Sequence, residues 1–512
     1  MRHEYHRMFN HSIMKNMITM RRNRCVAGSL AVVWIASIGS LAARADAPLA
    51  DAAERSDRAT VRELIERRTD PNQAQVDGMT ALHWAAYRDD LETAKLLIDA
   101  KADVRISNRY GATPLSLACA NGDESLVELL LGAGADPNTK LRGGETALMT
   151  AARTGKLGCV KALLSRGAEV DAKERRGQTA LIWAADEGHA EVVETLIQAG
   201  ADFRTPLKSG FTPLLFAVRE GKTNVVRVLL KAGADVNQAI GSRKASGKSP
   251  ETGTSPLIMA VENGHFELAV VLLEAGADPN DQRSGFAPLH TLTWVRKPNR
   301  GDGDDGVAAP AGSGNMTSLE FVHKLVEHGA DVNLRLERGS KGRGVLNRAG
   351  ATPFLLASMT ADVAYMRKLV KLGADPLLPN VDHSTPLMAA AGLGCLAPGE
   401  EAGTEPEALE AVTLAIELGG EVDAIDDNGE TAMHGAAYKS FPQVVKLLSD
   451  KGAKVSVWNH KNKYGWTPIA IAEGHRPGNF KPAPETLASL RSALDASASQ
   501  NRAETRFKNS DP

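Results

Sequence analysis

At 512 residues the chain exceeds what one ordinary hydrophobic core serves, so it needs either several domains or a repeat array growing in one dimension. Hydrophobic residues at 43%, aromatics at only 4% and a formal net charge of -2 describe a soluble chain with an interior of Leu, Val and Ala. They exclude the strongly basic balance of a nucleic-acid or anionic-membrane binder.

The first stretch stands apart. Arg21, Arg22 and Arg24 precede an uncharged run from Cys25 to Ala43, closed by Ala43-Arg44-Ala45. A basic start, an apolar run and an A-x-A site together read as a secretory signal peptide over 1–45, cut after Ala45. The alternative is an uncleaved membrane anchor, although Gly28, Ser29, Ser37, Gly39 and Ser40 keep the run only moderately apolar. Translation beginning at Met14, Met17 or Met20 would shorten the long leader before Met20. Export would leave Cys119, Cys159 and Cys395, an odd set at core positions and so no disulfide framework.

Residues 46–76 read as a charged N-terminal cap. Val61, Leu64 and Ile65 form its second-helix stripe, Asp70-Pro71-Asn72 its exit turn, and Glu54, Arg55, Asp57 and Arg58 its outward face. Regular units follow over 77–238. In Gly177–Asp202, Thr179 stands where a helix N-cap belongs and Gly188 where a left-handed C-cap belongs. Val192, Val193, Leu196 and Ile197 then make a wide apolar stripe that one unit cannot bury alone. The equivalent threonines fall at Thr80, Thr113, Thr146, Thr179 and Thr212, in steps of 33 residues. This period and the T-x-L-x-x-A core resemble the ankyrin repeat, which implies an all-α repeat solenoid of β-turn fingers and helix pairs. Weaker copies at Ser255, Ala287, Thr352, Thr385, Thr431 and Thr467 extend the resemblance from Ala52 to Leu494, about 12 units. The stretches DNGETAMHGAAYKSFPQVVKLL and GWTPIAIAEGH also look like bacterial exported ankyrin proteins.

From 239 to 494 the units carry insertions at 239–253, 296–315, 335–349 and 396–405, loops long enough to be functional or disordered. Thr486–Leu494 reads as the closing helix and 495–512 as a disordered tail.

Catalytic signals are weak. Gly301–Gly306 fits G-x-G-x-x-G, but its three aspartates would repel a pyrophosphate, and no EF-hand spacing is present. Ser246-Gly247-Lys248-Ser249 misses a phosphate-binding loop by one position. The resemblance gives His83, His290 and His434 the task of tying finger to helix. Trp84 and Trp183 read as core filler. No catalytic, metal or cofactor residue is assigned.

The reading is therefore a non-catalytic protein-interaction scaffold, periplasmic or secreted, or held at the inner membrane if the leader stays. It is expected to be a monomer that binds a protein partner and not nucleic acid. The rivals are an enzyme with a site built by the insertions, and a secreted effector. Two residues before each finger glycine stand Arg109, Arg142, Arg175, Lys208, Arg283, Arg348 and Lys463, flanked by Tyr110, Phe211, Phe286 and Trp466. A basic column with aromatics predicts an acidic protein partner at Arg109, Tyr110, Arg142, Arg175, Lys208, Phe211, Arg283, Phe286 and Arg348. Failing that, the helix face around Tyr87, Arg153, Asp186 and Arg219 is the next candidate.

Overall fold

A computed structural model describes residues 47–241, 252–299, 309–339, 345–396, 398–399, 401–476 and 480–508. The apolar run 25–43 and both glycine-rich motifs lie outside them. Among the described residues the chain is all helical, with no strand and one isolated bridge, Lys140 to Thr146. No described helix is long and apolar enough to cross a membrane.

The helices come in pairs. In the regular units the inner helices are Ala81–Arg88, Pro114–Asn121, Ala147–Thr154, Ala180–Glu187 and Pro213–Arg219. Their outer partners are Leu91–Asp99, Glu124–Gly132, Leu157–Ser165, Ala190–Gln198 and Thr223–Lys231. Each expected threonine is the N-cap. Thr80, Thr113, Thr146, Thr179 and Thr212 accept from the amides of His83, Ser116, Met149, Ile182 and Leu215 at 3.2–3.4 Å. The weaker copies hold the same place down to Thr467, and only Ala287 lacks a capping side chain. Inner helices pack on inner helices and outer on outer, so Ala184, Ala185, Val192, Val193 and Leu196 are all buried between neighbours. Cys119, Cys159 and Cys395 are free and buried.

Polar contacts repeat with the same period. His189, at the start of an outer helix, lies over Gly155 of the preceding unit and hydrogen-bonds the Arg153 carbonyl at 2.9 Å. A β-carbon at Gly155, already at φ +71°, would collide with that ring. Asn138 reaches forward, donating to the Gly167 carbonyl at 3.0 Å and accepting from the Glu169 amide at 2.7 Å. The same bond joins Asn237 to Gly276, Asn280 to Gly329 and Asn333 to Gly373. Its sequence span is 29 residues in the regular case and 39, 49 and 40 in these three. The additional 10, 20 and 11 residues are looped out without disturbing the stack.

The loops are more specific than the sequence suggests. Two do not lie between units but lengthen fingertips. Ile240 and Gly253, and likewise Leu336 and Gly350, keep the turn bond that Leu141 and Gly144 make in a regular finger, at 2.7–2.9 Å. A third separates inner helix Pro288–Arg296 from outer helix Ser318–Glu327. Its returning arm packs on earlier units: Gly312 against Gly264, Ser313 beside Gly221, and the Asn315 amide on Glu267 at 2.8 Å. The fourth spans 392–404, since the next outer helix starts at Glu405 and runs to Glu417.

Both ends differ from expectation. The first unit has an inner helix, Pro48–Glu54, lying mostly before Ala52, with Leu49, Ala50, Ala52 and Ala53 buried. Arg58 of this cap does not face outward alone; it pairs with Asp90 and Glu92 of the second unit. The closing helix is Pro484–Lys508, so 495–508 is helical and not a disordered tail. The Ala, Gln, Glu and Arg of that stretch favour helix, which polarity alone does not reveal.

Gly312 holds φ +63°, and a β-carbon there would fall 2.2 Å from the Gly264 carbonyl oxygen. Gly312→Ala is expected to destabilise by about 1–3 kcal/mol, read as a lower thermal midpoint by circular dichroism. An unchanged midpoint would mean that the arm does not pack on the earlier units.

Candidate interaction face

Successive fingers are tied edge to edge by backbone hydrogen bonds. The Arg109 amide donates to the Asp77 carbonyl at 2.9 Å, and the Arg175 amide to Gly143 at 3.0 Å. This stacking places Arg109, Arg142, Arg175 and Lys208 on consecutive fingertips, all exposed. Arg109 also donates to the Val76 carbonyl, and Arg175 to the Arg142 carbonyl at 3.3 Å, so each guanidinium leans toward the previous finger. Among the described residues none of the four is paired with a carboxylate. Tyr110, next to Arg109, is 48% exposed.

The remaining predicted positions do not join them. Phe211 is only 8% exposed; its ring lies 5.1 Å from Phe216, with the Arg219 guanidinium 5.5 Å away. It is a core residue, because the position just before the N-cap faces the seam between units. Arg283 is neutralised by Asp281, with contacts of 2.9 and 2.8 Å, and also holds the Asn237 carbonyl at 2.8 Å. Phe286 is half-buried edge-on against Trp294 at 4.7 Å. Arg348 is half-buried 5.0 Å over the same Trp294, and burial pushes its pKa down. The column is therefore a feature of the regular units, and Arg283 and Arg348 serve the fold.

On the helix face, Arg219 pairs with Asp186 at 2.8 Å, and Arg153 lies 5.3 Å over Trp183. Tyr87 is 37% exposed and meets Trp84 edge-on at 5.7 Å.

What the sequence did not indicate is a strap across the later units. The stretch 392–404 crosses to the lengthened finger at Leu346, where a β-carbon on Gly394 would sit 2.1 Å from the Leu346 amide nitrogen. Leu346, Leu393, Cys395 and Ala402 are all buried. Arg476, two units on, donates to the Cys395 carbonyl at 2.7 Å and stacks 5.3 Å over Tyr438. Lys439 donates to the Ala402 carbonyl, and Lys297 pairs with Glu407. Burial lowers the pKa of both Lys439 and Arg476. The signal was present in Leu346, Leu393 and Cys395, which are not residues of a solvated loop.

Among the described residues no group of three or more His, Cys, Asp or Glu is placed to hold a metal ion. The histidines have architectural partners. His83 accepts from the Thr80 amide at 3.2 Å and donates to the Ala112 carbonyl at 3.0 Å. His290 reaches the Leu334 and Ala351 carbonyls at 3.1 and 3.2 Å. Its Nδ1 lacks a partner where Ala287 replaces the capping threonine. Burial lowers His83, His290 and His434 to about 4.

The arrangement defines a class: a solenoid that presents stacked fingers and helix faces rather than a cleft. Residues 49–141, 116–206, 148–240 and 204–283 match the family model for ankyrin repeats (3 copies). Inversin from Canis lupus familiaris and from Homo sapiens is each 28% identical over 183 residues, 36% of this chain and 14% of Inversin. The putative ankyrin repeat protein FPV219 of Fowlpox virus (strain NVSL) is 45% identical over 51 residues, 10% of this chain and 12% of that protein. The chain thus spans only a small part of the curated relatives it matches. Residues 49–283 are therefore ankyrin repeats. Such repeats generally mediate protein–protein interaction and are generally non-catalytic.

One buried acid sets an opposing pH response. Glu430 accepts from the Tyr438 hydroxyl at 2.7 Å and from Asn462 at 2.8 Å, with Asp426 close by. Burial, and then Asp426, raises it from 4.5 to about 7. The folded state therefore holds this proton where the unfolded chain releases it, and the associated stability is lost as pH rises from about 4.5 through 7. The three histidines act oppositely, since their stability is lost as pH falls from 6.5 toward 4. Glu430→Gln keeps an acceptor for Tyr438 and should stabilise the protein at pH 8 by about 1–3 kcal/mol, while gaining nothing at pH 4.5. Equal thermal midpoints for variant and parent at pH 8 would refute the raised pKa.

Proposed function

We propose that this chain is a non-catalytic scaffold, exported from a bacterial cytoplasm, whose regular units bind an acidic surface on another protein. The observation that carries the reading is the run Arg109, Arg142, Arg175 and Lys208: consecutive exposed cations that the fold leaves without carboxylate partners among the described residues. Arg283 and Arg348 show the contrast, because there the fold uses the charge itself. Export rests on the basic start, the apolar run and Ala43-Arg44-Ala45. A cut after Ala45 would leave the first helix, Pro48–Glu54, whole.

Arg142→Glu, Arg175→Glu and Lys208→Glu together should abolish salt-sensitive capture of a protein partner from envelope extracts, with helicity unchanged. Capture by the parent should weaken as salt rises above about 0.15 M, where exposed charges are screened within about 8 Å. Undiminished capture by the triple variant would remove the fingertips from the site. Amino-terminal sequencing of the envelope-fraction protein should begin at Asp46. An intact leader in the membrane pellet would replace export with anchoring.

A further inference from the structure

Along the regular units the apolar surface is concentrated at one end. Val76, on the finger that leads into the second unit, is 61% exposed, Tyr87 of the second unit 37% and Tyr110 of the third 48%. Trp84 links them. Its indole N–H donates to Gln75 on the finger at 2.9 Å, and its ring meets Tyr87 at 5.7 Å. An apolar strip therefore runs from finger to helix end along Ala81–Arg88, with Tyr110 on the adjoining fingertip. The cations begin beside it, one to a unit.

We infer that the partner segment is an extended acidic peptide with one aromatic anchor, which rests on the reading of the fingertips as the partner site. Exposed ion pairs contribute little individually, so the affinity has to come from an apolar side chain buried on the Trp84–Tyr87–Tyr110 strip. Register follows from spacing. Stacked helix pairs lie about 8–10 Å apart, and an extended chain in the polyproline II form advances about 3.1 Å per residue with three residues per turn, so every third side chain faces the same way. Carboxylates three residues apart therefore meet successive fingertips. A phosphate backbone carries charge more densely than this and brings no apolar side chain, although its bases can stack on aromatic rings.

The test uses the full chain and fluorescence anisotropy with three synthetic peptides. The first carries Trp followed by Glu at every third position, with Ser and Gly between. The second replaces Trp with Ala, and the third groups the glutamates consecutively. The first should bind; the Ala peptide should bind about tenfold more weakly, and the grouped peptide about threefold more weakly. The double variant Tyr87→Ala, Tyr110→Ala, both exposed rings, should lose that tenfold for the first peptide and leave the Ala peptide unaffected. Equal binding of the first two peptides to the parent overturns the anchor but leaves the acidic-partner reading standing. Indifference of all three to Arg142→Glu, Arg175→Glu and Lys208→Glu overturns that reading itself. No binding of the first peptide, or tighter binding of oligo(dT), overturns the inference outright.

Discussion

Every helix pair in this protein has an apolar face that only the next pair can cover. Burying Val192, Val193 and Leu196 needs an inner helix lean enough to approach closely, which Ala184 and Ala185 supply. Each such aliphatic side chain contributes about 1.5–3 kcal/mol when removed from water, and none of it is realised by an isolated unit. The polar repeats follow from that dependence. The capping threonines, the ring of His189 over Gly155 and the Asn138 bridge to Gly167 fix how closely and at what register one pair meets the next.

A stack held by neighbours tolerates insertions wherever the contacts are not. Lengthened fingers between Ile240 and Gly253, and between Leu336 and Gly350, leave the base bonds intact, because loop closure grows costly only slowly with length. In the later units the insertions then add contacts that a simple array lacks. Arg476 reaches Cys395 across an intervening unit, Lys297 reaches Glu407, and Leu346 meets Gly394. Arg348 and Trp294 are drawn into this cross-bracing, and Lys297, Lys439 and Arg476 are committed to it. The regular half leaves Arg109, Arg142, Arg175 and Lys208 without a carboxylate partner among the described residues.

Much of this was legible in the sequence because the period is carried by residues with strict conformational roles. Threonine at an N-cap and glycine at a left-handed C-cap recur at fixed intervals whatever the core residues are, so even the copies at Thr431 and Thr467 are readable. The site was legible only where neighbours in sequence decide exposure. Phe211 flanks Lys208 in the chain, yet its place before the N-cap turns it into the seam, as it does Met79 and Glu430. Arg283 looked like Arg142 until Asp281 beside it became a partner. The strap depends on residues 37 to 110 positions apart meeting through an insertion, and no periodicity announces such contacts.

Site-specific photo-crosslinking from fingertips in producing cells separates the two halves of the array. A photoreactive phenylalanine analogue at Tyr110 samples the open half, and the same analogue at Val381, another exposed fingertip, samples the cross-braced half. A partner held on the open fingertips gives a discrete adduct from position 110 and none from position 381. An adduct from 381 alone would contradict that placement.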